Sequence, residues 1–337
     1  MDFFGLDIGT STTKIIQLKK TGKEKYWLKS AVIMQTPSGG MAGDSEANLV
    51  AMAETIKKGM NEAKINTKHV VGSLPEAEVF TRIVPMPKMS KSELESAISW
   101  EAEQNIPLPM ADVNFSYQVV NTKEDGSMEV MIIAAPKRLV EKFESMFALA
   151  ELVPVALETN LVAASRALTH SEQTAPAIII IIGFRSTEIG ITKAGNLVFT
   201  RSIATAGESL TRALVTGLQL ETAQAESYKR SYGINTEQLE GKVAASLQPI
   251  IGILNREIKR TINYYQTQAP DQTIKTAILT GGSANLPQLV PLLTKELNIE
   301  VQIGSPLQKL DTGKETAIST ELLPSYAIAM GLAMKEL

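Results

Sequence analysis

The sequence predicts an α/β fold made of two related halves, with a smaller module inserted into the first. Three observations carry this expectation. The stretch 5–18, GLDIGTSTTKIIQL, reads as strand, tight hydroxyl-rich turn and strand. The same pattern returns without a gap at 178–191, IIIIIGFRSTEIGI, setting Ile8-Gly9 on Ile182-Gly183, Thr12-Thr13 on Ser186-Thr187 and Ile15 on Ile189. At 337 residues the chain is also long enough for two substantial cores. The copies differ at one place that matters for chemistry, because Asp7 in the first falls opposite Ile181 in the second.

Each element follows from local pattern. A strand over 26–36 follows the first hairpin, and a Gly-rich turn at 37–43 leads to a helix over 48–65. That helix spaces Leu49, Met52, Ala53, Ile56, Met60 and Ala63 along one face. A strand over 69–74 closes the unit. Residues 75–151 form the inserted module, starting with a strand at 79–84 that ends at Pro85-Met86-Pro87. A helix follows with the capping box Ser90 and Glu93, its inner face made by Leu94, Ala97, Ile98 and Ala102. The prolines of 105–109 (NIPLP) end it. A hairpin over 115–120 and 128–134 turns at Glu124-Asp125-Gly126, and an amphipathic helix over 138–150 closes the module.

A strand over 153–158 runs into a helix over 161–168, and the polar stretch 171–176 reads as a linker. The second hairpin continues through Ala194-Gly195-Asn196 into a strand over 197–203. Two helices fill 207–230 and one long helical region fills 238–268. A last buried strand at 276–279 stops at Gly281-Gly282, a helix begins near Leu289, and a short helix ends the chain over 325–337.

Composition removes several functions. The 33 basic and 36 acidic residues leave a net charge of −3, which gives no electrostatic case for nucleic acid. With no cysteine, disulfides and thiolate chemistry are excluded. His69 and His170 are the only histidines, which argues against a His-rich metal site. The start, MDFFGLDIG, lacks the basic segment and long apolar core of a signal peptide. The longest apolar run, around 177–182, falls far short of the roughly 20 residues a membrane span needs. A cytoplasmic protein that meets a membrane only through a partner is expected.

Three constellations bear on chemistry, and each has a plain structural reading beside the functional one. In the turn from Gly9 to Thr13, successive amides and hydroxyls can cradle phosphate oxygens, with Lys14 adding charge and Asp7 holding Mg²⁺ through water. The same residues suit an ordinary β-turn. Gly281-Gly282-Ser283, between strand and helix, lets a ring or phosphate lie against backbone, though strand-Gly-Gly-helix is common in α/β proteins. Glu226 and Lys229 share a helix face and suit a ribose, or form a surface ion pair worth a few tenths of a kcal/mol.

Taken together and in this order, these features resemble the actin-like ATPase superfamily, the ribonuclease H-like duplicated fold of actin, the heat-shock chaperone ATPases, sugar kinases, MreB and FtsA. There, two halves clamp one nucleotide between phosphate-binding hairpins. The resemblance implies ATP with Mg²⁺. It assigns Gly9, Thr10, Ser11, Thr12, Thr13 and Lys14 to the phosphates and Asp7 to the metal. Gly183, Arg185, Ser186 and Thr187 become the facing phosphate loop, Glu226 and Lys229 the ribose contacts, and Gly281, Gly282 and Ser283 the adenosine contacts. It implies a first-half core of 1–74, 152–172 and 324–337, and an FtsA-type inserted subdomain at 75–151. The second-half core would take 173–206 and 274–323, with a helical subdomain at 207–273 over the cleft.

The wording of 74–109, LPEAEVFTRIVPMPKMSKSELESAISWEAEQNIPLP, narrows the resemblance to the PilM family of type IV pilus assembly. So do ETNLVAASRAL and LTGGSANLPQL. This implies an ATP-binding scaffold whose groove, between module and first half, takes the N-terminal tail of a PilN-like membrane protein and links it to the assembly motors. Val79, Phe80 and Ile83 are candidates to line that groove, or plain core of the module. Glu158 resembles the residue that positions water in bacterial actins, and equally suits a helix-start acid. Since Ile181 stands where the superfamily usually has an acid, slow or absent hydrolysis is expected. Two rivals remain: a membrane-tethered, polymerising FtsA-like division protein, which would be expected to end in a basic amphipathic helix, and a sugar-kinase-type phosphotransferase, for which Asp271 and Asp311 are poorly placed.

Overall fold

The duplication seen in the two hairpins extends to whole sheets. The computed structural model describes residues 1–43, 45–311 and 318–337. The first half contributes β1 (Phe4–Ile8), β2 (Thr12–Gly22), β3 (Lys25–Gln35), α1 (Glu46–Glu62) and β4 (His69–Leu74) before the chain leaves for the module. The module holds β5 (Phe80–Met86), α2 (Lys91–Asn105), β6 (Val113–Thr122) and β7 (Met128–Pro136); α3 (Lys137–Leu149) leads back to β8 (Val153–Thr159) and α4 (Asn160–Leu168). The second half runs through β9 (Ala177–Ile182), β10 (Thr187–Lys193), β11 (Asn196–Ile203), α5 (Gly207–Leu218), α6 (Thr222–Tyr232) and α7 (Lys242–Gln268). It finishes with β12 (Thr276–Thr280), α8 (Leu289–Leu297) and β13 (Glu300–Ile303), and the chain closes on α9 (Ala327–Ala333).

The two large sheets have the orders β3-β2-β1-β4-β8 and β11-β10-β9-β12-β13, the same path traced twice. In each, an antiparallel meander is extended by two parallel strands. β9, with five consecutive isoleucines, is buried on both faces, as a central strand covered by helices must be. The module's small sheet, β5-β7-β6, has α2 packed on it through Leu94, Ile98 and Ala102. The capping box forms: the Ser90 hydroxyl accepts the Glu93 N–H, and the Glu93 carboxylate accepts the Ser90 N–H at 2.7 Å.

Three expectations change. β5 continues past Val84 through Pro85, which an edge strand tolerates because no ladder donor is lost there. β12 is not the last strand, since β13 pairs beside it; with only Val301 of its four residues buried, β13 leaves almost no hydrophobic trace in the sequence. Finally, α3 turns its apolar face (Leu139, Phe143, Met146, Phe147) into the first-half core with Phe4, Leu6, Met52 and Ile56, a core that Ala135 of β7 also joins.

Between the halves lies a cluster formed by Ile16 and Leu18 of the first, Ile179 and Ile181 of the second, Val120 and Met131 of the module, and residues of α4 and α9. The helices approach at backbone distance, where a Cβ on Gly331 would come within 1.8 Å of the Ala163 carbonyl oxygen. Gly331→Ala is therefore expected to cost roughly 2–3 kcal/mol, at the upper end for overpacking a buried contact. Urea unfolding measures it, and a loss under about 0.5 kcal/mol, typical of a surface change, would contradict this packing.

Candidate functional site

The two hairpin turns close with the same hydrogen bond. Gly9 N–H donates to the Thr12 carbonyl at 3.2 Å, and Gly183 N–H to the Ser186 carbonyl at 3.0 Å. A Cβ would meet those same oxygens at 2.7 and 2.9 Å, so only glycine lets either turn tighten this far. The aligned threonines lock the turns from behind. Thr13 is wholly buried with its hydroxyl 2.9 Å from that of Thr36, and the Thr187 hydroxyl, equally buried, donates to the Thr205 carbonyl at 2.7 Å. Thr10 and Arg185 are exposed, and Ser11, Thr12 and Ser186 are partly so. Within each turn, the open hydroxyls and the locking threonine have separate jobs.

The residues behind the turns differ in charge between the halves. On the first hairpin Asp7 faces Lys14 directly across the strands, and their buried side chains pair at 3.1 Å; the Ser73 hydroxyl lies 3.4 Å from the other carboxylate oxygen. On the second, Ile181 faces Glu188. Ile181 has joined the apolar cluster between the halves, while Glu188, 4% exposed, stands where the first hairpin has its lysine. The repeat itself sets Lys14 on Glu188, a match that motifs read one at a time do not reveal.

Glu188 is not alone. Asn160, at the start of α4, donates its amide to Glu188 at 3.0 Å, and Glu76, where the chain enters the module, is equally buried. Burial, then the Glu76 carboxyl, pushes Glu188 up to about 8, with the Asp7 carboxylate adding to the rise. Burial likewise raises Glu76.

Glu158 points elsewhere. Arg166 grips both its oxygens at 2.7 and 2.8 Å, Lys335 adds a contact at 2.6 Å, and Arg166 also donates to the Gly331 carbonyl at 2.7 Å. Burial alone would raise this carboxyl, but the two cations hold it below its usual range. The residue is a node tying α4 to Lys335 after α9, its carboxylate engaged by two cations.

The remaining predicted residues meet on the second half. Gly207 N–H donates to the Gly183 carbonyl at 3.1 Å, and Ser283 N–H to the Ile182 carbonyl at 3.1 Å. A Cβ on Gly207 would lie 2.7 Å from the Ser283 hydroxyl and 3.6 Å from the Lys229 amine, so turn, helix start and Gly-Gly loop converge. Gly281 takes φ +91° with the Ile182 backbone against it, whereas nothing stands within 4 Å of a side chain at Gly282. Lys229 is buried, and its amine reaches Glu226 at 2.6 Å, the Thr211 hydroxyl at 2.8 Å and the Gly207 carbonyl at 3.1 Å. Burial lowers it from its ordinary value. Glu226 is the half-open member of the pair, and Lys229 serves to hold it in place.

Of the groove candidates, Val79 packs in the first-half core, Phe80 against the module core and Ile83 against the cluster between halves. None of the three lines the recess formed where the module meets both halves. That recess, of about 280 Å³, is bounded by Gln118, Val120 and Met131 of the module, Val162 and Arg166 of α4, and Asn196 of the second half.

A family model described as type IV pilus assembly protein PilM matches residues 5–337. A solved PilM–PilN type IV pilus biogenesis complex is similar with a TM-score of 0.85 at 26% identity, over 99% of this chain and 98% of that one. The cell division protein FtsA of Bacillus subtilis is 23% identical over 352 residues, 90% of this chain and 78% of its own length. MreB5 of Spiroplasma citri, solved bound to AMPPNP, shares the fold at a TM-score of 0.56 and 12% identity, over 98% and 94% of the two chains. Among the described residues, no helix is long and apolar enough to cross a membrane.

Proposed function

The chain belongs to the type IV pilus assembly protein PilM family, and from that premise we propose that it is a cytoplasmic ATP-binding scaffold that recruits the N-terminal tail of a PilN-like inner-membrane protein and links it to the assembly motors. The observation carrying the partner is the near full-length likeness to a PilM–PilN complex, joined to a recess where module, first half and second half all meet. An extended tail suits such a recess, since backbone polar groups and alternate apolar side chains can both be matched there. The membrane would be reached only through that tail.

The nucleotide reading rests on the paired turns. Two glycine-closed hairpins, the open face at Gly282 and the half-open Glu226 would leave amides for phosphates, room for adenosine and an acceptor for ribose hydroxyls respectively. Mg²⁺ would accompany the phosphates and neutralise their charge, with Asp7 holding it through water. Hydrolysis would be slow. Ile181 offers no carboxylate where the first hairpin has Asp7.

Fluorescence anisotropy of a labelled PilN-like tail, with and without Mg-ATP, tests the reading. The tail is expected to bind, with an affinity that ATP shifts roughly 5–150-fold, the usual range of coupling between sites. Gly183→Val should abolish the ATP effect while leaving tail binding in place. No tail binding would remove the partner, equal affinities would remove the coupling, and turnover near the enzyme median of about 10 per second would overturn slow hydrolysis.

A further inference from the structure

We propose that the outer edge of β6, in the inserted module, pairs antiparallel with the same strand of a second copy of this chain. The three sheets have six edge strands, and a free edge offers unpaired N–H and C=O groups to any strand that lines up with it. Five of the six are guarded. β3 carries Lys25 and Lys29 and is bridged at Tyr26 by Leu310, while β8 carries Pro154 and Glu158. β11 carries Arg201, β5 carries Arg82 and Pro85, and β13 has only four residues and begins with Glu300. β6 (VNFSYQVVNT) runs for ten residues with no charge, proline or glycine. Its pairing with β7 is regular from Val113 to Val119, and among the described residues no backbone group bonds to its outer side.

The strand's own pattern selects a second copy as the occupant. Phe115 and Tyr117 reach the module core only partly buried, and by alternation Val119, 37% exposed, shares their face. An antiparallel pair centred on Tyr117 sets the two Tyr117 side chains together and Phe115 beside Val119 of the second copy. Aromatic and β-branched pairs of this kind stabilise sheets. No like charges meet at the axis, because the strand has none. The flanking charges are complementary: Asp112 just before the strand and Lys123 just after it are both exposed. Antiparallel self-pairing brings each Asp112 next to Lys123 of the other copy, at both ends, whereas parallel pairing would set like on like. The result joins two three-stranded module sheets into one across a two-fold axis. Gln118 and Val120 also border the recess proposed for the PilN-like tail, which makes that tail the rival occupant.

Sedimentation velocity of the chain over a range of concentrations, without nucleotide or tail, tests the pairing. A 36.5 kDa species in concentration-dependent equilibrium with one of twice that mass is expected. The β6 amides should exchange more slowly in the dimer. Val119→Lys places a charge near the axis on each copy and is expected to weaken the dimer by roughly tenfold or more. Asp112→Lys sets like charges together at both ends and is expected to weaken it about tenfold. Adding Lys123→Asp to that variant should restore near wild-type affinity. Asp112 and Lys123 are exposed, so this pair of variants keeps the test decisive should Val119→Lys not fold. A chain monomeric at every concentration, a dimer that a folded Val119→Lys leaves equally tight, or a double variant no tighter than Asp112→Lys would overturn the proposal. Protection of the β6 amides only on adding a PilN-like tail would assign the edge to that tail and overturn it as well. Neither nucleotide nor tail takes part, so failure of those readings leaves this result untouched.

Discussion

Replacing Glu188 by glutamine is expected to stabilise the protein above pH 8 and to leave it nearly unchanged near pH 4. The carboxyl is raised from an ordinary 4.5 to about 8 by burial, then by Glu76, with Asp7 contributing; Asn160 donates to it, and Lys14 is occupied by Asp7. A group whose folded pKa is raised binds a proton more tightly in the folded state. Its stabilising contribution is complete below 4.5 and disappears as pH climbs through 8. Above that pH the wild-type protein must hold a buried charge, or two if Glu76 also ionises. Glutamine keeps the shape and still accepts the Asn160 amide, yet never charges. Each pKa unit is worth about 1.4 kcal/mol, which sets a ceiling near 5, and water entering around the charge reduces the gain to about 2–4 kcal/mol. Urea unfolding at pH 5, 7 and 9 measures it. A variant less stable than wild type at pH 9 would mean that the Glu188 charge is favourably paired, and an unpaired buried carboxyl would no longer describe the residue.

The comparison of the two hairpins shows what the sequence holds and what it hides. Gly9 and Gly183 were legible because a tight turn demands glycine at one defined place, and a gapless repeat fixes the register of everything beside it. The same register carried the exchange of Lys14 for Glu188, but that information is relational: a lone glutamate in a strand of isoleucines attracts notice only when its counterpart is a lysine. Glu76 left no such mark, since a glutamate after Leu74-Pro75 reads as a loop residue until the fold buries it against α4. Direction was the other hidden quantity. Spacing placed Glu158 correctly at a strand–helix junction but did not say which side of the sheet it faced. The amphipathic face of α3 was plain while its core was not, because periodicity states that a face will be buried and is silent about its partner.

Glu158→Ala is expected to destabilise the protein by about 2–3 kcal/mol while leaving ATP affinity within about twofold. Its side chain is 9% exposed and engages Arg166 (27%) and Lys335 (26%) together, so truncation leaves two half-buried cations without their counter-ion. Breaking a fully buried pair costs about 3–5 kcal/mol, and partial hydration of both cations brings the figure down. Arg166 would also lose the hold that aims it at the Gly331 carbonyl, loosening the crossing of α4 and α9 that joins the halves. The wild-type pair has its own pH signature. Glu158 is held below its ordinary value by Arg166 and Lys335 against the effect of burial, so its contribution is present above pH 4.5 and fades as pH falls through the lowered pKa. Acid unfolding of wild type and variant should therefore converge at low pH. If Glu158 instead positioned an attacking water, the alanine variant would keep its stability and lose hydrolysis, the reverse of the outcome that its contacts with Arg166 and Lys335 dictate.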